Sequence, residues 1–225
     1  MINMTSWQCP KGLIEQALAE CPIEGNRTAL NSPTGNFFYD KWELREEFKG
    51  TAWEKILNSL PYTIGEARVI TLEPNQSYMA HADIDNRWHL NLSGEHSYLV
   101  DLNSQQMHKQ RVDNHWRYMF ADKIHTASNY GSIPRKQLVV RELLKHSYFT
   151  NLVSVEITPS YDQFDYRYHF DNIISPWLNR KNQEGTLDNF VYKDTFVSFS
   201  IAEHVKDELT ELTEFVTNRF NIKYV

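Results

Sequence analysis

The hydrophobic pattern of the chain changes near residue 67, where short segments of alternating apolar and polar residues begin. Successive side chains of a β-strand point to opposite faces, so this alternation is typical of strands that bury one face. Turn-forming Asn, Asp and Gly residues separate the segments. Eight strands are predicted, at 67–72, 77–81, 87–92, 97–102, 106–112, 116–120, 124–127 and 137–143. Strands of this number and spacing predict a mainly β fold with flanking helices and a jelly-roll core of the cupin type, a double-stranded β-helix around a central cavity.

The regions on either side of this core have a different pattern. Residues 11–24 and 51–60 carry apolar residues at helical spacing and predict two helices, with a loop over 31–36 between them. Beyond the core, residues 152–157 predict a strand and residues 202–220 predict a helix with one apolar stripe. Helices are therefore expected on both sides of the β core.

A chain of 225 residues with 41% hydrophobic residues can bury a sizeable core. We expect a single domain over 1–225. Its parts are an N-terminal helical segment at 1–62, a jelly-roll core with the metal site at 63–145, and a C-terminal extension with a strand and a helix at 146–225.

Charge and cysteine content limit the classes of protein to consider. A formal net charge of -6 and a pI near 5.8 give no basic surface, which makes nucleic acid an unfavourable main ligand. No apolar run approaches the ~18 residues that a membrane span needs, and the first ten residues lack the pattern of a secretory signal. The only cysteines, Cys9 and Cys21, cannot form a disulfide framework for this length. A cytoplasmic protein with reduced thiols and no membrane association is expected.

Residues 81–83 read His-Ala-Asp, and a further histidine, His125, lies on a later predicted strand. In an extended backbone, side chains two apart lie on the same side, so His81 and Asp83 can bind one ion. Two imidazoles and one carboxylate leave three positions of a metal open, which is the arrangement that non-haem Fe(II) oxygenases use. The sequence therefore predicts a metal site at His81, Asp83 and His125, with a set of structural histidines as the alternative.

Arginines on two predicted strands could bind an anion near this site. Arg135 follows His125 by ten residues, and its planar guanidinium can hold a carboxylate through two hydrogen bonds. Arg87 and His89 share one face of their strand by period two and could also hold an anionic group. Arg141 shares a face with Arg135 and is predicted to be a surface charge or a charge in a second pocket.

Two polar residues near His125 have open roles. Asp122 could accept the second N–H of a metal-bound imidazole, or it could be a turn residue. Asn129 could orient a group in the pocket, or it could cap a turn.

Five short segments, in this order, carry a resemblance to a known family. They are EP at 73–74, HAD at 81–83, RWHLNL at 87–92, FADKIH at 120–125 and RKQLVV at 135–140. The block from Arg68 to Arg141, about a third of the chain, resembles the aspartyl/asparaginyl β-hydroxylase family and its bacterial proline hydroxylase relatives. These belong to the 2-oxoglutarate-dependent Fe(II) oxygenases.

The resemblance implies a role for each matching residue. These roles are Fe(II) ligation by His81, Asp83 and His125, pairing of Arg135 with the distal carboxylate of 2-oxoglutarate, and lining of the co-substrate or substrate pocket by Arg87 and His89. The chain also departs from the family. Some members carry Gly in place of Asp83, the usual FDD is Phe-Ala-Asp at 120–122, and Ile70 stands where some members place a pocket serine.

By the same resemblance, the chain is expected to hydroxylate an unactivated C–H bond of an amino-acid-type substrate, with Fe(II) as cofactor and 2-oxoglutarate as co-substrate. The substrate would be a free amino acid or a residue in a polypeptide, selected by the N-terminal helices, residues 31–38 and the aromatic segment 161–177. Two alternatives stay open. One is a metal-dependent cupin enzyme that does not use 2-oxoglutarate, and the other is a non-catalytic binding module on the same scaffold. The sequence does not set an oligomeric state.

Overall fold

The computed structural model describes residues 2–160, 168–193, 196–215 and 220–225. Contacts between Cα atoms divide the chain into two compact units. Unit 1 is Met1–Ala80 with Asp85–Leu143, and unit 2 is His81–Ile84 with Leu144–Val225. The predicted end of the jelly-roll core at residue 145 thus lies close to the division after Leu143. The single domain expected over the whole chain stays a prediction.

Unit 1 consists mostly of antiparallel β-strands. They are β1 Ile2–Gln8, β2 Arg27–Ala29, β3 Asn31–Pro33, β4 Trp42–Leu44, β5 Ile64–Leu72, β6 Gln76–Ser77, β7 Arg87–Ser93, β8 Ser97–Asp101, β9 Gln106–Lys109, β10 His115–Met119, β11 His125–Asn129 and β12 Arg135–Glu142. A six-stranded sheet has the order β1-β10-β7-β12-β5-β2, and a four-stranded sheet has the order β6-β11-β8-β9. Strands β3 and β4 form a separate pair.

The eight strands β5 to β12 correspond one by one to the eight predicted strands. They pair as the two arms of one long hairpin would, with β5 on β12, β6 on β11, β7 on β10 and β8 on β9. Several boundaries were predicted wrongly: β5 begins at Ile64 rather than at residue 67, β9 ends at Lys109 rather than at residue 112, and β6 ends at Ser77 rather than at residue 81. Its pairing with β11 stops there, so His81 lies beyond the regular strand.

The six-stranded sheet is buried on both faces in its centre. On β7, Trp88, Leu90 and Leu92 belong to the main apolar cluster, which also contains Ile14 and Trp53 from the two helices of this unit. The alternate β7 residues are polar and equally buried. Because buried polar groups need partners, the polar face is the part of the fold that demands a chemical explanation.

The N-terminal segment is less helical than the sequence predicts. The two predicted helices are present as α1 Leu13–Glu20 and α2 Ala52–Leu57. Strand β1 precedes α1, and strands β2 to β4 lie between the two helices; none of these four strands was predicted. Strands β1 and β2 extend the six-stranded sheet by pairing with β10 and β5. The prediction of a loop over 31–36 is wrong for Asn31–Pro33, which form β3 and pair with β4. These short strands form because distant partners bind them, and pairing of this kind leaves little pattern in the segment itself.

Unit 2 contains an antiparallel sheet of order β14-β15-β13-β16 and several helical segments. The strands are β13 Leu152–Pro159, β14 Leu187–Lys193, β15 Phe196–Ala202 and β16 Phe220–Tyr224. The helical segments are a π-helical turn Phe170–Ile174, α3 Ser175–Gln183, a 3-10 turn Glu203–Val205 and α4 Lys206–Phe215.

The predictions for this unit are correct in part. The strand predicted at 152–157 is confirmed as part of β13. The helix predicted over 202–220 is wrong at its C-terminal end, since Phe220 begins β16, and residues 216–219 lie outside the described part of the chain. Residues 161–167 of the aromatic segment also lie outside it, whereas its end is helical.

None of the helices in the described ranges combines the length and apolar character required to cross a membrane. The expectation of a cytoplasmic location stays a prediction.

Candidate functional site

The three predicted metal ligands come together. His81, Asp83 and His125 each offer one ligand atom, and these atoms all lie within 4.8 Å of one another. Two imidazole nitrogens and a carboxylate oxygen are suitable donors for a divalent first-row metal ion. The three residues could therefore hold a metal ion.

His125 is the first residue of β11 and is buried. Its Nδ1 lies 2.8 Å from the carbonyl oxygen of Lys123, an arrangement in which Nδ1–H donates to that carbonyl. The lone pair is then on Nε2, where a metal would bind, and the ring orientation is fixed. The imidazole thus finds its partner in the main chain. The sequence left two roles open for Asp122, acceptor for the N–H of a metal-bound imidazole or turn residue. In the structure its carboxylate pairs with the ammonium group of Lys123 at 2.9 Å.

His81 and Asp83 lie on the short segment after β6, with Nε2 and Oδ2 3.9 Å apart. The backbone of residues 82 and 83 is held by hydrogen bonds with Asp171 and Asn179, which belong to the same unit. The amide of Ala82 donates to the carbonyl of Asp171 at 3.1 Å, and the side-chain amide of Asn179 donates to the carbonyl of Asp83 at 3.0 Å. The two ligands therefore lie on a segment that is tied down without being a strand.

Arg135 begins β12 and is 1% exposed. Its Nη2 donates to the side-chain oxygen of Gln137, and its Nε has no hydrogen-bond partner among the described residues. None of the ion pairs within the described ranges includes Arg135. Burial lowers its pKa to about 10, so it stays cationic at neutral pH. A buried cation without a carboxylate partner costs free energy unless an anion binds, which makes Arg135 a strong candidate for an anion-binding residue.

His89, on β7, is also buried in this polar face. Its Nδ1 lies 3.0 Å from the side-chain oxygen of Gln137, and its Nε2 has no partner among the described residues. Desolvation, and then the positive charges of Arg135 and Arg87, lower the pKa of His89 to about 3. The ring is therefore neutral at physiological pH, with Nε2 available to a ligand.

The other two arginines share one carboxylate. Asp85 accepts hydrogen bonds from Nε of Arg87 and from Nε of Arg141, each at 2.6 Å. Arg141 is 8% exposed, so the surface position considered for it is wrong. Arg87 is buried as expected of a pocket residue, but its charge is already paired with Asp85. Among the three arginines singled out by the sequence, Arg135 is thus the one without an acidic partner in the described structure.

Of the two roles considered for Asn129, orienting a group in the pocket or capping a turn, the structure shows the second. Its side-chain amide donates to the carbonyls of Leu72 and Ile133 at 2.9 Å, and its oxygen accepts from the amide of Gly131 at 3.0 Å. The side chain thus closes the turn that leads into β12.

Sequence analysis missed Tyr78, which interacts electrostatically with Arg135 and whose hydroxyl has no partner among the described residues. Desolvation raises its pKa, so the phenol stays protonated and can donate a hydrogen bond. No local signal could have identified it, because Tyr78 lies just past the end of β6. It also missed Glu66, Arg68 and Asp85, which carry charge into the same buried face.

Comparisons with known proteins do not identify a family. No family model matches the chain, and no curated protein matches it. Among solved structures, part of the chain is similar to a crystal structure of CapF with the inhibitor 3-isopropenyl-tropolone, at 14% sequence identity and a TM-score of 0.31. The similarity covers 52% of this chain and 32% of that chain, so it spans about a third of the other protein.

Proposed function

We propose that this chain is a 2-oxoglutarate- and Fe(II)-dependent dioxygenase that hydroxylates an unactivated C–H bond of an amino-acid-type substrate. The observation that carries the proposal is Arg135, a buried guanidinium without a carboxylate partner among the described residues, in a chain whose His81, Asp83 and His125 could hold a metal ion. A metal site alone would fit many cupin enzymes. A separate buried anion site is what 2-oxoglutarate requires, because it has a carboxylate far from its chelating end.

The strand order supports a double-stranded β-helix for unit 1. In a jelly roll, a long antiparallel hairpin is wound so that its first and eighth strands pair, and likewise its second and seventh, third and sixth, and fourth and fifth. Strands β5 to β12 have these four pairings and divide between two sheets. His89, Arg135 and His125 all lie on these strands, which are rigid elements suited to holding a reactive site.

Fe(II) with 2-oxoglutarate would supply the oxidising chemistry, in which O2 is consumed and 2-oxoglutarate is converted to succinate and CO2. The residues of the chain would bind and orient. Arg135 would hold the distal carboxylate, with Tyr78 placed to donate a hydrogen bond to the same group. His89, neutral and buried, would accept one hydrogen bond at Nε2, because its Nδ1–H donates to the side-chain oxygen of Gln137. The buried polar face would exclude water from the reacting centre.

The proposal is tested by measuring succinate release from 2-oxoglutarate in air with added Fe(II) over a panel of free amino acids and short peptides. Wild-type protein should release succinate, and at least one member of the panel should stimulate it. Arg135→Lys keeps the charge but loses the two-pronged geometry, so the half-saturating 2-oxoglutarate concentration should rise about ten- to a hundredfold. Arg111→Lys, at an exposed position, is the matched control and should change it little.

Two results would count against this function. Metal-dependent turnover of a panel member without 2-oxoglutarate would favour a cupin enzyme of another kind. Absence of any metal-dependent reaction, in protein that still binds panel members, would favour a binding module.

A further inference from the structure

Gln137 lies between Arg135 and His89 on the polar face of the six-stranded sheet. It belongs to β12 and is buried. Its side-chain oxygen Oε1 lies 3.0 Å from Nδ1 of His89 and also accepts a hydrogen bond from Nη2 of Arg135. One neutral amide oxygen is therefore shared by a buried cation and a buried imidazole.

Two further buried amides lie behind Gln137. Asn91 is directly opposite it on β7, and Gln110 follows β9. Nε2 of Gln137 donates to Oδ1 of Asn91 at 2.6 Å and to Oε1 of Gln110 at 3.2 Å. Gln137, Asn91 and Gln110 are called here the amide network. All three belong to unit 1.

Two main-chain carbonyls fix the orientation of the amide network. Nδ2 of Asn91 donates to the carbonyl of Arg111 at 3.1 Å, and Nε2 of Gln110 donates to the carbonyl of His108 at 3.0 Å. A carbonyl can only accept, so both amides direct their nitrogen to the main chain. Their oxygens are then directed to Gln137.

The orientation of Gln137 follows from these two oxygens. Its nitrogen faces them, so its own oxygen faces Arg135 and His89. A guanidinium can only donate, which requires the same orientation from the other end of the network. Because Oε1 is an acceptor, Nδ1 of His89 carries a proton, and the lone pair of the ring is on Nε2. The tautomer of His89 is thus set by two main-chain carbonyls through three amides.

The network gives Arg135 and His89 complementary hydrogen-bonding properties. Nε of Arg135 is a donor and Nε2 of His89 is an acceptor, and neither has a hydrogen-bond partner among the described residues. Burial, and then the charge of Arg135, lower the pKa of His89 to about 3, so its acceptor is kept at neutral pH. A ligand group that meets Nε2 must therefore be a donor, and one that meets Arg135 must be an acceptor.

The neutral charge of Gln137 matters as much as its orientation. A glutamate of nearly the same shape would accept the same two hydrogen bonds, but it would also pair with the charge of Arg135. A buried arginine that is paired with a carboxylate gains less from an external anion. Asp85 is an example of such a carboxylate in the same unit, since it pairs with Arg87 and Arg141.

We propose that Gln137 is a positioning residue, which orients Arg135 toward an anion without neutralising it and holds His89 in the tautomer whose Nε2 is an acceptor. The step rests on the proposed function for the identity of the anion, the distal carboxylate of 2-oxoglutarate. The tautomer of His89 does not depend on that function, because it follows from the amide network.

The first test measures the tautomer of His89 in the full chain without added metal, by 15N NMR of the imidazole rings. The His89 signals are assigned by their loss in His89→Gln. At neutral pH, the wild type should have the proton on Nδ1, although a free histidine side chain prefers it on Nε2. Gln137→Met removes the acceptor and should lose this preference. Gln137→Glu keeps an acceptor and should keep the proton on Nδ1.

The second test measures binding of 2-oxoglutarate in the presence of Fe(II) without O2. Gln137→Glu should weaken binding by at least about tenfold, because the new carboxylate pairs with Arg135. Gln137→Met should weaken it less than Gln137→Glu, since the charge of Arg135 stays available. Gln106→Glu, at an exposed position of β9, is the matched control for the added charge and should change binding less than about twofold.

The two variants of Gln137 are thus expected to separate the two properties, which a merely structural glutamine would not do. Gln137→Glu keeps the tautomer and loses the anion, whereas Gln137→Met loses the tautomer and keeps more of the anion binding. The ring of His115, whose Nδ1 lies 2.9 Å from the carbonyl of Asp113, shows whether each variant is folded, because its signals should not change. If Gln137→Glu does not fold, the tautomer in Gln137→Met decides.

Three results would overturn the inference. They are a wild-type His89 with its proton on Nε2, an unchanged tautomer in Gln137→Met, and wild-type binding of 2-oxoglutarate by a folded Gln137→Glu. The proposed function fails separately. If the wild type does not bind 2-oxoglutarate but the tautomer of His89 depends on Gln137, that function is wrong and the positioning of His89 stands.

Discussion

At the scale of single residues, chemically identical side chains have different roles because of their partners. Arg87 and Arg141 share Asp85, whereas Arg135 contacts the neutral Gln137. The free energy of keeping Arg135 buried is thus left to be offset by a ligand. This difference in pairing distinguishes Arg135 from Arg87 and Arg141, whose positive charges are offset in part by the carboxylate of Asp85.

His89 gives a prediction for the pH dependence of stability. Its pKa is lowered from an unfolded value of about 6.5 to about 3, so the folded state excludes a proton that the unfolded state binds. The contribution of His89 to the free energy of unfolding is therefore complete above pH 6.5. It decreases as the pH falls toward 3, by about 1.4 kcal/mol per pH unit at most. Urea unfolding at pH 7, 6 and 5 should show this slope in the wild type and a shallower one in His89→Gln. Parallel profiles for the two proteins would show that His89 is not held neutral by the fold.

Residues that belong to spaced motifs could be predicted from the sequence, and residues that complete the site from elsewhere could not. His81, Asp83 and His125 come together as expected, and Arg135 is buried with no acidic partner in the described part of the chain. Tyr78 was missed. Its relevance depends on where the chain turns after β6, and that turn is set by pairing with β11 rather than by the residues themselves.

At the scale of elements, the hairpin between β7 and β8 supports Arg135. Gly94 follows β7 with a φ of +115°, a conformation that other residues adopt only with strain. A Cβ atom at this position would lie 3.2 Å from Cβ of Arg135 and 3.3 Å from its Cα. The close approach of the hairpin therefore requires glycine and fixes the backbone from which the arginine projects.

Gly94→Ala should lower the free energy of unfolding by about 1 to 3 kcal/mol, from backbone strain and from crowding against Arg135. It should also weaken binding of 2-oxoglutarate, because the guanidinium is displaced. Gly50→Ala is the control. Gly50 has a φ of +73°, and no atom of the described residues lies within 4 Å of the added Cβ, so this variant should be destabilised by strain alone and bind 2-oxoglutarate normally. Equal 2-oxoglutarate binding by both variants would show that the hairpin does not position Arg135.

The elements also show why part of the fold was predictable. Strands such as β7 and β12 have one apolar face against the helices, so their alternation is visible in the sequence. Strands β1 and β2 were not predicted because they extend the sheet edges on β10 and β5, where partners supply the hydrogen bonds. The polar face of β7 has a pattern similar to that of a solvent-exposed face, and only the structure shows that Arg87 and His89 are buried.

At the scale of the molecule, unit 1 combines an apolar core on one side of its larger sheet with a charged, buried face on the other. Such a face is unfavourable for stability alone, since apolar residues of similar size would fold at lower cost. The unfavourable free energy of burying these cations is explained if bound anions pair with them. The account therefore predicts that the protein is most stable, and chemically competent, when its metal and carboxylate ligands are present.

The central claim is that His81, Asp83, His125 and Arg135 hold a metal and 2-oxoglutarate together. Anaerobic titration of the full chain with Fe(II) and 2-oxoglutarate, followed by visible absorption, tests it most directly. The wild type should develop a weak charge-transfer band that requires both additions and saturates at one Fe(II) per chain, and His125→Ala should develop none. Arg135→Met should develop the band only at 2-oxoglutarate concentrations at least about tenfold higher. A wild type without the band, or a His125→Ala variant that titrates like it, would contradict the account.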